Sequence, residues 1–405
     1  MSTFDSEDNR PAELHLGRYL CAERKSAKDL PEPLRVNNTL SLHTALLMYN
    51  GSVKGKLSGG EYAYGEIRNV LKSNFKVREI ILEDLVPRTR PMVRRVVKRL
   101  FLALLVLFSY FLYGRYDLVV TTWTPEVPFC GDVSYIQPFA SKSQTLFGDT
   151  GARTDFVELF GKRALALLMR LLRSVSLSRQ TFIANSTFCK ELIEKELGKR
   201  AYLIYPPVPI ERFASLETKK NIVLTIGRVS LEKNFQAIVN IGPRVPEAKF
   251  VLLGPLGSGG ERTVHSIRKS FANEGLDDHF EYLGWVSEET KNQLLRSAKV
   301  LFHPTRNEFF GIAIVEGMNH GAIPIVHNSG APREYVPQKY LFEEDDEAVR
   351  KIKDALVEWS PSDAIRLHEL SLRFNVTNFR KELSEVLYEA VARKAALLRP
   401  SRFKA

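Results

Sequence analysis

The sequence predicts an α/β protein made of two doubly wound, Rossmann-like domains that face each other across a cleft. Its 405 residues exceed one ordinary compact core and suit two domains of roughly 150 to 200 residues each. Short β-rich runs alternate with helix-length amphipathic stretches, plainly in the second half and less plainly in the first, as βαβ units of a parallel sheet require. Prolines and then "ETKK" interrupt this alternation after "YPPVPIERF", near residues 207 to 220, and mark the break. Four segments follow: an extension over 1–40, Rossmann-like domains over 41–214 and 215–385, and a basic tail over 386–405.

In the first half, "TALLMYN", "VREIILEDL", "YDLVVTTW", "DVSYIQP", "TFIANS" and "AYLIYPP" are the candidate strands. In the second they are "NIVLTIG", "KFVLLG", "FEYLGWV", "KVLFHPT" and "IPIVHN". Between these lie the helical stretches "ERTVHSIRKSFANEG" and "SEETKNQLLRSA", the latter with Ser287 as N-cap and acids in its first turn. Cys21, Cys130 and Cys189 are too widely spaced for a disulfide framework or a metal cluster, which fits a reducing compartment. The polar, acidic start "MSTFDSEDNR" lacks the order of a secretory signal, so no export is expected.

The net charge of +11 is unevenly placed: residues 1–214 carry 31 Lys/Arg against 22 Asp/Glu, the remainder 27 against 25. A basic first half can face nucleic acid, an anionic membrane or a phosphorylated substrate, or simply water. Two stretches there depart from plain α/β grammar. Residues 101–114, "FLALLVLFSYFLYG", are uncharged and follow Arg94, Arg95, Lys98 and Arg99. They are too short for a bilayer span of about 20 residues, and read as a buried core helix or an interfacial segment. In "GKRALALLMRLLRSVSLSRQ", Lys162, Arg163, Arg170 and Arg173 share one helical side and Leu165, Leu168 and Leu172 the other. Such a helix lies on a membrane or packs its leucines on the sheet. Their joint presence favours the membrane.

A phosphate constellation stands in the second half. Where "NIVLTIG" ends, Gly227, Arg228 and then Lys233 occupy a βα loop; glycine admits close backbone approach, and two cations five apart can converge on one polyanion. After "LFHPT" come Glu308, the turn "FFG" and a helix opened by Gly311, whose N-terminus adds backbone donors and partial positive charge. Glu316 follows "IAIV" in that helix, beside core, where a carboxylate needs a partner in the protein or a ligand. His303, at a strand end, reads as a structural histidine. Acids beside the phosphate loop repel a nucleic-acid backbone, and no compact nucleic-acid motif is present, so no nucleic-acid partner is expected.

Gly227 through "EKN", Glu308 with "FG", Glu316 and "HNSGAPREYV" resemble the donor-binding domain of glycosyltransferase family 4, retaining enzymes of the GT-B fold that use nucleotide-diphosphate sugars. The resemblance is specific over roughly residues 220–345. In the first half, "LSGGEYAYGE" around Gly59 and Gly60 looks like that family's glycine-rich loop, and "NSTFCKELI" and "YPPV" like later elements. "YPPV" and "HNSGAPREYV" look closest to mannosyltransferases that extend lipid-linked oligosaccharides. What the resemblance implies is a GDP- or UDP-linked sugar donor with no further cofactor and no metal. Arg228 and Lys233 would hold the diphosphate with the amides from Phe310 through Gly311 to Ile312; Glu308 would touch the transferred sugar and Glu316 the ribose. It further implies a lipid-linked glycan acceptor held by 41–214; together with the basic charge of that half, this places Arg163, Arg170 and Arg173 on an anionic membrane and the protein peripherally on the cytoplasmic face of a membrane. Related enzymes often carry a histidine where this chain has Gln137 on the acceptor side. Glutamine cannot act as a base, which favours a front-face scheme with a donor phosphate oxygen as proton acceptor. A nucleotide-sugar epimerase or phosphorylase of the same fold, or a non-catalytic sugar-nucleotide-binding protein, are the alternatives.

Overall fold

The structure, a computed structural model, describes residues 43–49, 59–81, 104, 106–122, 130–136, 174–211 and 219–398, all within the compact unit His43–Ala405. The first sheet holds β1 (Thr44–Tyr49), β2 (Lys76–Ile81), β3 (Leu118–Thr121), β4 (Val133–Ile136), β5 (Thr181–Ala184) and β6 (Ala201–Leu203), in the order β2-β1-β3-β4-β5-β6. The second holds β7 (Lys220–Ile226), β8 (Lys249–Leu253), β9 (Phe280–Gly284), β10 (Ala298–His303), β11 (Ile323–His327) and β12 (Leu341–Phe342), in the order β12-β11-β10-β7-β8-β9. Every pairing is parallel. The sequence shows why: Ala45, Leu46, Leu47 and Met48 of β1 are all buried, so both faces of the strand are covered, as helices on both sides of a parallel sheet demand. The expected two-sheet α/β architecture is therefore present.

The helices flanking the sheets include α1 (Gly59–Asn74), α2 (Thr187–Leu197), α3 (Gly260–Asn273), α4 (Glu288–Ser297), α5 (Ile312–Asn319), α6 (Asp345–Glu358), α7 (Pro361–Ser371) and α8 (Val376–Leu398). Ser287 caps α4 as expected, its hydroxyl accepting from the Thr290 amide at 3.1 Å. In the second sheet the strand order reverses between β7 and β10, so the loops that follow these two neighbours leave in opposite directions and open a crevice at their carboxyl ends.

Two sequence expectations change. Residues 386–398, read as part of a basic tail, form the second half of α8, and Phe379, Leu383, Val386, Leu387, Ala390 and Val391 enter the core of the first sheet. Lys394, which looked like tail charge, is buried against Asp132 at 2.9 Å, and Arg380 pairs with Glu66 at 2.7 Å. The described residues of the stretch 101–114 divide into a buried and an exposed set. Val106, Ser109, Leu112 and Tyr113 of its helical part are buried, whereas Leu104, Leu107, Phe108 and Phe111 stand exposed. Among the described residues no helix is long and apolar enough to cross a membrane. Residues 1–40, Gln137, Arg163, Arg170 and Arg173 lie outside the described residues.

Candidate functional site

The crevice is built by two loops stitched to one another. After β7, a single 3-10 turn, Leu231–Lys233, ends at Asn234 in the left-handed region, with φ 55°. Its side-chain amide donates to the Pro304 carbonyl at 3.2 Å, and the Thr305 hydroxyl donates to the Lys233 carbonyl at 3.0 Å. The loop after β10 is thereby fixed against the loop after β7. Lys233 Nζ then reaches Glu308 Oε2 at 2.6 Å, across 75 positions of sequence. His303 Nε2 meets the same oxygen at 2.9 Å, and Glu308 Oε1 accepts from the Phe309 amide at 3.1 Å.

Glu308 is 8% exposed. Burial alone would raise its pKa, but the Lys233 ammonium and the His303 hydrogen bond hold it well below the usual carboxylate range. Burial pushes His303 down despite Glu308, so the ring is neutral and donates through Nε2; Nδ1 has no hydrogen-bond partner among the described residues. His303, read from the sequence as structural, is thus in direct contact with a candidate catalytic acid. Gly330 bridges Glu308, and the Ala331 amide donates to the Glu308 carbonyl at 2.9 Å, so the motif "HNSGAPREYV" fixes this backbone. Arg228 is placed differently: its side chain is 63% exposed and pairs with Glu232 at 3.2 Å. It stands in solvent at the mouth of the same loop.

Gly311, with φ 87°, opens α5, and Phe310 before it is buried among Tyr205, Tyr335 and Phe374. Gly59 and Gly60 are not a loop as expected but the first turn of α1. A Cβ on Gly59 would come within 2.8 Å of Ile312 Cδ1, so this glycine brings the first half onto the start of α5. Glu316, in the body of α5, is 7% exposed and receives Lys291 Nζ of α4 at 2.8 Å; Lys291 also binds Glu288 at 2.7 Å. Lys219 holds the two helices together, donating to the carbonyls of Leu295 and Ala298 at 3.1 and 2.8 Å and of His320 at 2.8 Å. Lys291 was missed from the sequence.

A second join between the halves is Glu334. Its carboxylate accepts from the Thr187 and Phe188 amides at 2.9 and 2.8 Å and from the Tyr205 hydroxyl at 3.0 Å. Ser186 accepts from the Cys189 amide at 3.1 Å, so three amides of the first turn of α2 are satisfied, two of them by the opposite half.

Two parallel doubly wound sheets, with Lys233 paired to the buried Glu308 at the switch point of the second, define a GT-B framework. Comparisons with known proteins agree. Residues 208–367 match the family model "Glycosyl transferases group 1", over the segment where the sequence resemblance was specific. A GDP-Man:Man(3)GlcNAc(2)-PP-Dol alpha-1,2-mannosyltransferase of Dictyostelium discoideum is 31% identical over 163 residues, covering 36% of this chain and 32% of that protein. One of the same description from Neurospora crassa is 26% identical over 270 residues, covering 56% and 49%. The chain thus spans about a third to a half of the length of these curated relatives. Among solved structures, Anabaena HepE in complex with UDP and glucose superposes with a TM-score of 0.62 at 17% identity, covering 86% of this chain and 100% of that one. That likeness shows the fold.

Proposed function

We propose that the protein is a retaining glycosyltransferase that moves a hexose from a GDP- or UDP-linked donor to a lipid-linked glycan at the cytoplasmic face of a membrane. Mannose is the sugar favoured by the names of its relatives. The observation that carries this reading is the Lys233–Glu308–His303 cluster at the β7/β10 switch point, with Arg228 at its mouth. An incoming diphosphate offers Lys233 and Arg228 stronger anions than Glu308 and Glu232. The two cations then neutralise the charge that grows on the leaving group as the bond from C1 to phosphate oxygen breaks. Glu308, kept ionised, accepts from hydroxyls of the transferred sugar, while His303 fixes its rotamer. The acceptor oxygen bonds to C1 on the face the phosphate leaves, and its proton passes to a phosphate oxygen. Glu316 accepts from the ribose hydroxyls.

Support for the membrane comes from the exposed Leu104, Leu107, Phe108 and Phe111, flanked by Arg115, whose guanidinium lies 4.2 Å from the Phe111 ring. Residues 51–200 add 24 Lys/Arg against 14 Asp/Glu. Such apolar anchors with basic neighbours suit an anionic interface, where each basic residue contributes about 1 kcal/mol. The test is to incubate the protein with a panel of nucleotide sugars, with and without lipid-linked acceptors, and to measure nucleoside diphosphate release and the anomeric configuration of the product. Release from a GDP- or UDP-sugar with retained configuration supports the reading. Nucleotide binding without turnover on any acceptor makes it a sugar-nucleotide-binding protein, and interconversion of the sugar without release makes it an epimerase. Flotation with neutral and anionic vesicles decides the membrane part, since a protein that floats with neither has a soluble acceptor.

A further inference from the structure

Glu316 is a buried acid whose partner comes from another helix. A carboxylate removed from water and left alone takes up a proton or costs several kcal/mol. Among the described residues its ion-pair partner is Lys291, at 2.8 Å, and that ammonium is divided between Glu316 and the exposed Glu288. We propose that Lys291 is a positioning residue for donor binding: it keeps the Glu316 carboxylate ionised and oriented as an acceptor for the donor's ribose hydroxyls. This rests on the reading that Glu316 meets the ribose.

The surroundings of Glu316 leave the role to Lys291. His320, on the turn after α5, engages the Glu316 backbone carbonyl through Nδ1 at 2.8 Å rather than its carboxylate. From α1, Tyr62 faces the group with a phenol whose pKa is raised first by its own burial, then by Glu66, and also by Glu316, so it stays neutral. From α4 come only Lys291 and Glu288. Burial pushes the Glu316 pKa up, Lys291 pulls it partly back, and Glu288 pushes it up again. For Lys291, burial lowers the pKa but the two acids raise it above the usual lysine value, so it stays charged across the range in which Glu316 titrates.

The sign of the pH effect follows. Below the raised pKa of Glu316 the carboxyl is protonated and one acceptor position is lost, so nucleotide affinity falls as pH falls through it. Removing Lys291 moves that inflection to higher pH. Removing the competing acid Glu288 gives Lys291 wholly to Glu316 and moves it lower.

GDP and UDP are titrated calorimetrically from about pH 5 to about pH 9 into wild type, Lys291→Met, Lys291→Arg, Glu288→Gln and Glu316→Gln. Lys291→Met is expected to bind about tenfold or more weakly at neutral pH, with its inflection displaced upward. Lys291→Arg should restore affinity and profile, and Glu288→Gln should displace the inflection downward. A wild-type pH profile in Lys291→Met overturns the proposal; should that variant fail to fold, an unmoved inflection in Glu288→Gln does so instead. A Glu316→Gln variant that binds both nucleotides like wild type has a different meaning: the ribose assignment itself is then wrong.

Discussion

Arg228 and Lys233 stand five positions apart in one loop, yet their truncation has different consequences. Arg228 is exposed and pairs with Glu232, an arrangement worth little to stability. Lys233 neutralises a buried carboxylate, and breaking a buried pair from one side costs about 3 to 5 kcal/mol. Arg228→Ala is therefore expected to lower turnover by about one to two decades, the worth of a charge-assisted hydrogen bond of about 1.5 to 3 kcal/mol made mainly in the transition state, with the melting temperature unchanged. Lys233→Ala should lower both. Steady-state rates of nucleoside diphosphate release and thermal melts check this, and near-normal activity in Arg228→Ala removes it from the phosphate site. Lys233 and Glu308 were legible in the sequence because each follows a strand end with glycine nearby, where ligand chemistry concentrates. His303 was not, since a histidine closing an apolar strand looks the same whether it meets a backbone carbonyl or a buried carboxylate. Lys291 lies in "SEETKNQLLRSA" with its partner 25 positions away, and the packing of α4 on α5 unites them.

Strands were easier to find than the ends of helices. Parallel strands covered on both faces appear as continuous apolar runs, so β1, β7 and β10 are visible at once, whereas the two-residue β12 has too few residues to show a period. The family resemblance implies a glycine-rich loop at Gly59 and Gly60. They open α1 instead, for the reason visible at the contact with Ile312. Gly311 is the more demanding position: at φ 87° a side chain costs roughly 1 to 2 kcal/mol, and a Cβ would lie 2.6 Å from Ile314 Cδ1 and 3.2 Å from the Tyr335 hydroxyl. Gly311→Ala should therefore lower the melting temperature and, by tilting the start of α5 between Glu308 and Glu316, cut kcat/KM about tenfold or more. Gly59→Ala meets only the mobile end of Ile312 and should be milder in both assays. Equal effects from the two substitutions would show that the start of α5 is not the constraint.

The chain is tied across its halves by groups that are distant in sequence, and these ties were the least legible feature of all. Glu334 caps α2, Gly59 touches α5, and α8 leaves the second half to complete the core of the first. Residues 386–398, "VLYEAVARKAALL", carry the period of an amphipathic helix, but nothing local says that their apolar side belongs to a sheet that begins at Thr44. Asp132 and Lys394 are the sharpest form of this tie. The two side chains are 3% and 2% exposed and 2.9 Å apart; Asp132 also accepts from the Val119 amide at 2.7 Å, and the ammonium lies 3.7 Å from the Tyr113 ring. Removing Lys394 leaves a buried carboxylate whose remaining partners, the Val119 amide and the Tyr113 hydroxyl, are neutral. Lys394→Met is thus expected to cost about 3 to 5 kcal/mol, a fall in melting temperature on the order of 10 °C. Asp132→Asn alone leaves the ammonium with its ring and no anion, and should also destabilise. The double variant removes both charges while keeping the packing of the lysine stem and the hydrogen bond to Val119, so it should melt closer to wild type than Lys394→Met does. Calorimetric melts of the four proteins form a double-mutant cycle. Additive losses would mean that the pair contributes nothing beyond its separate parts.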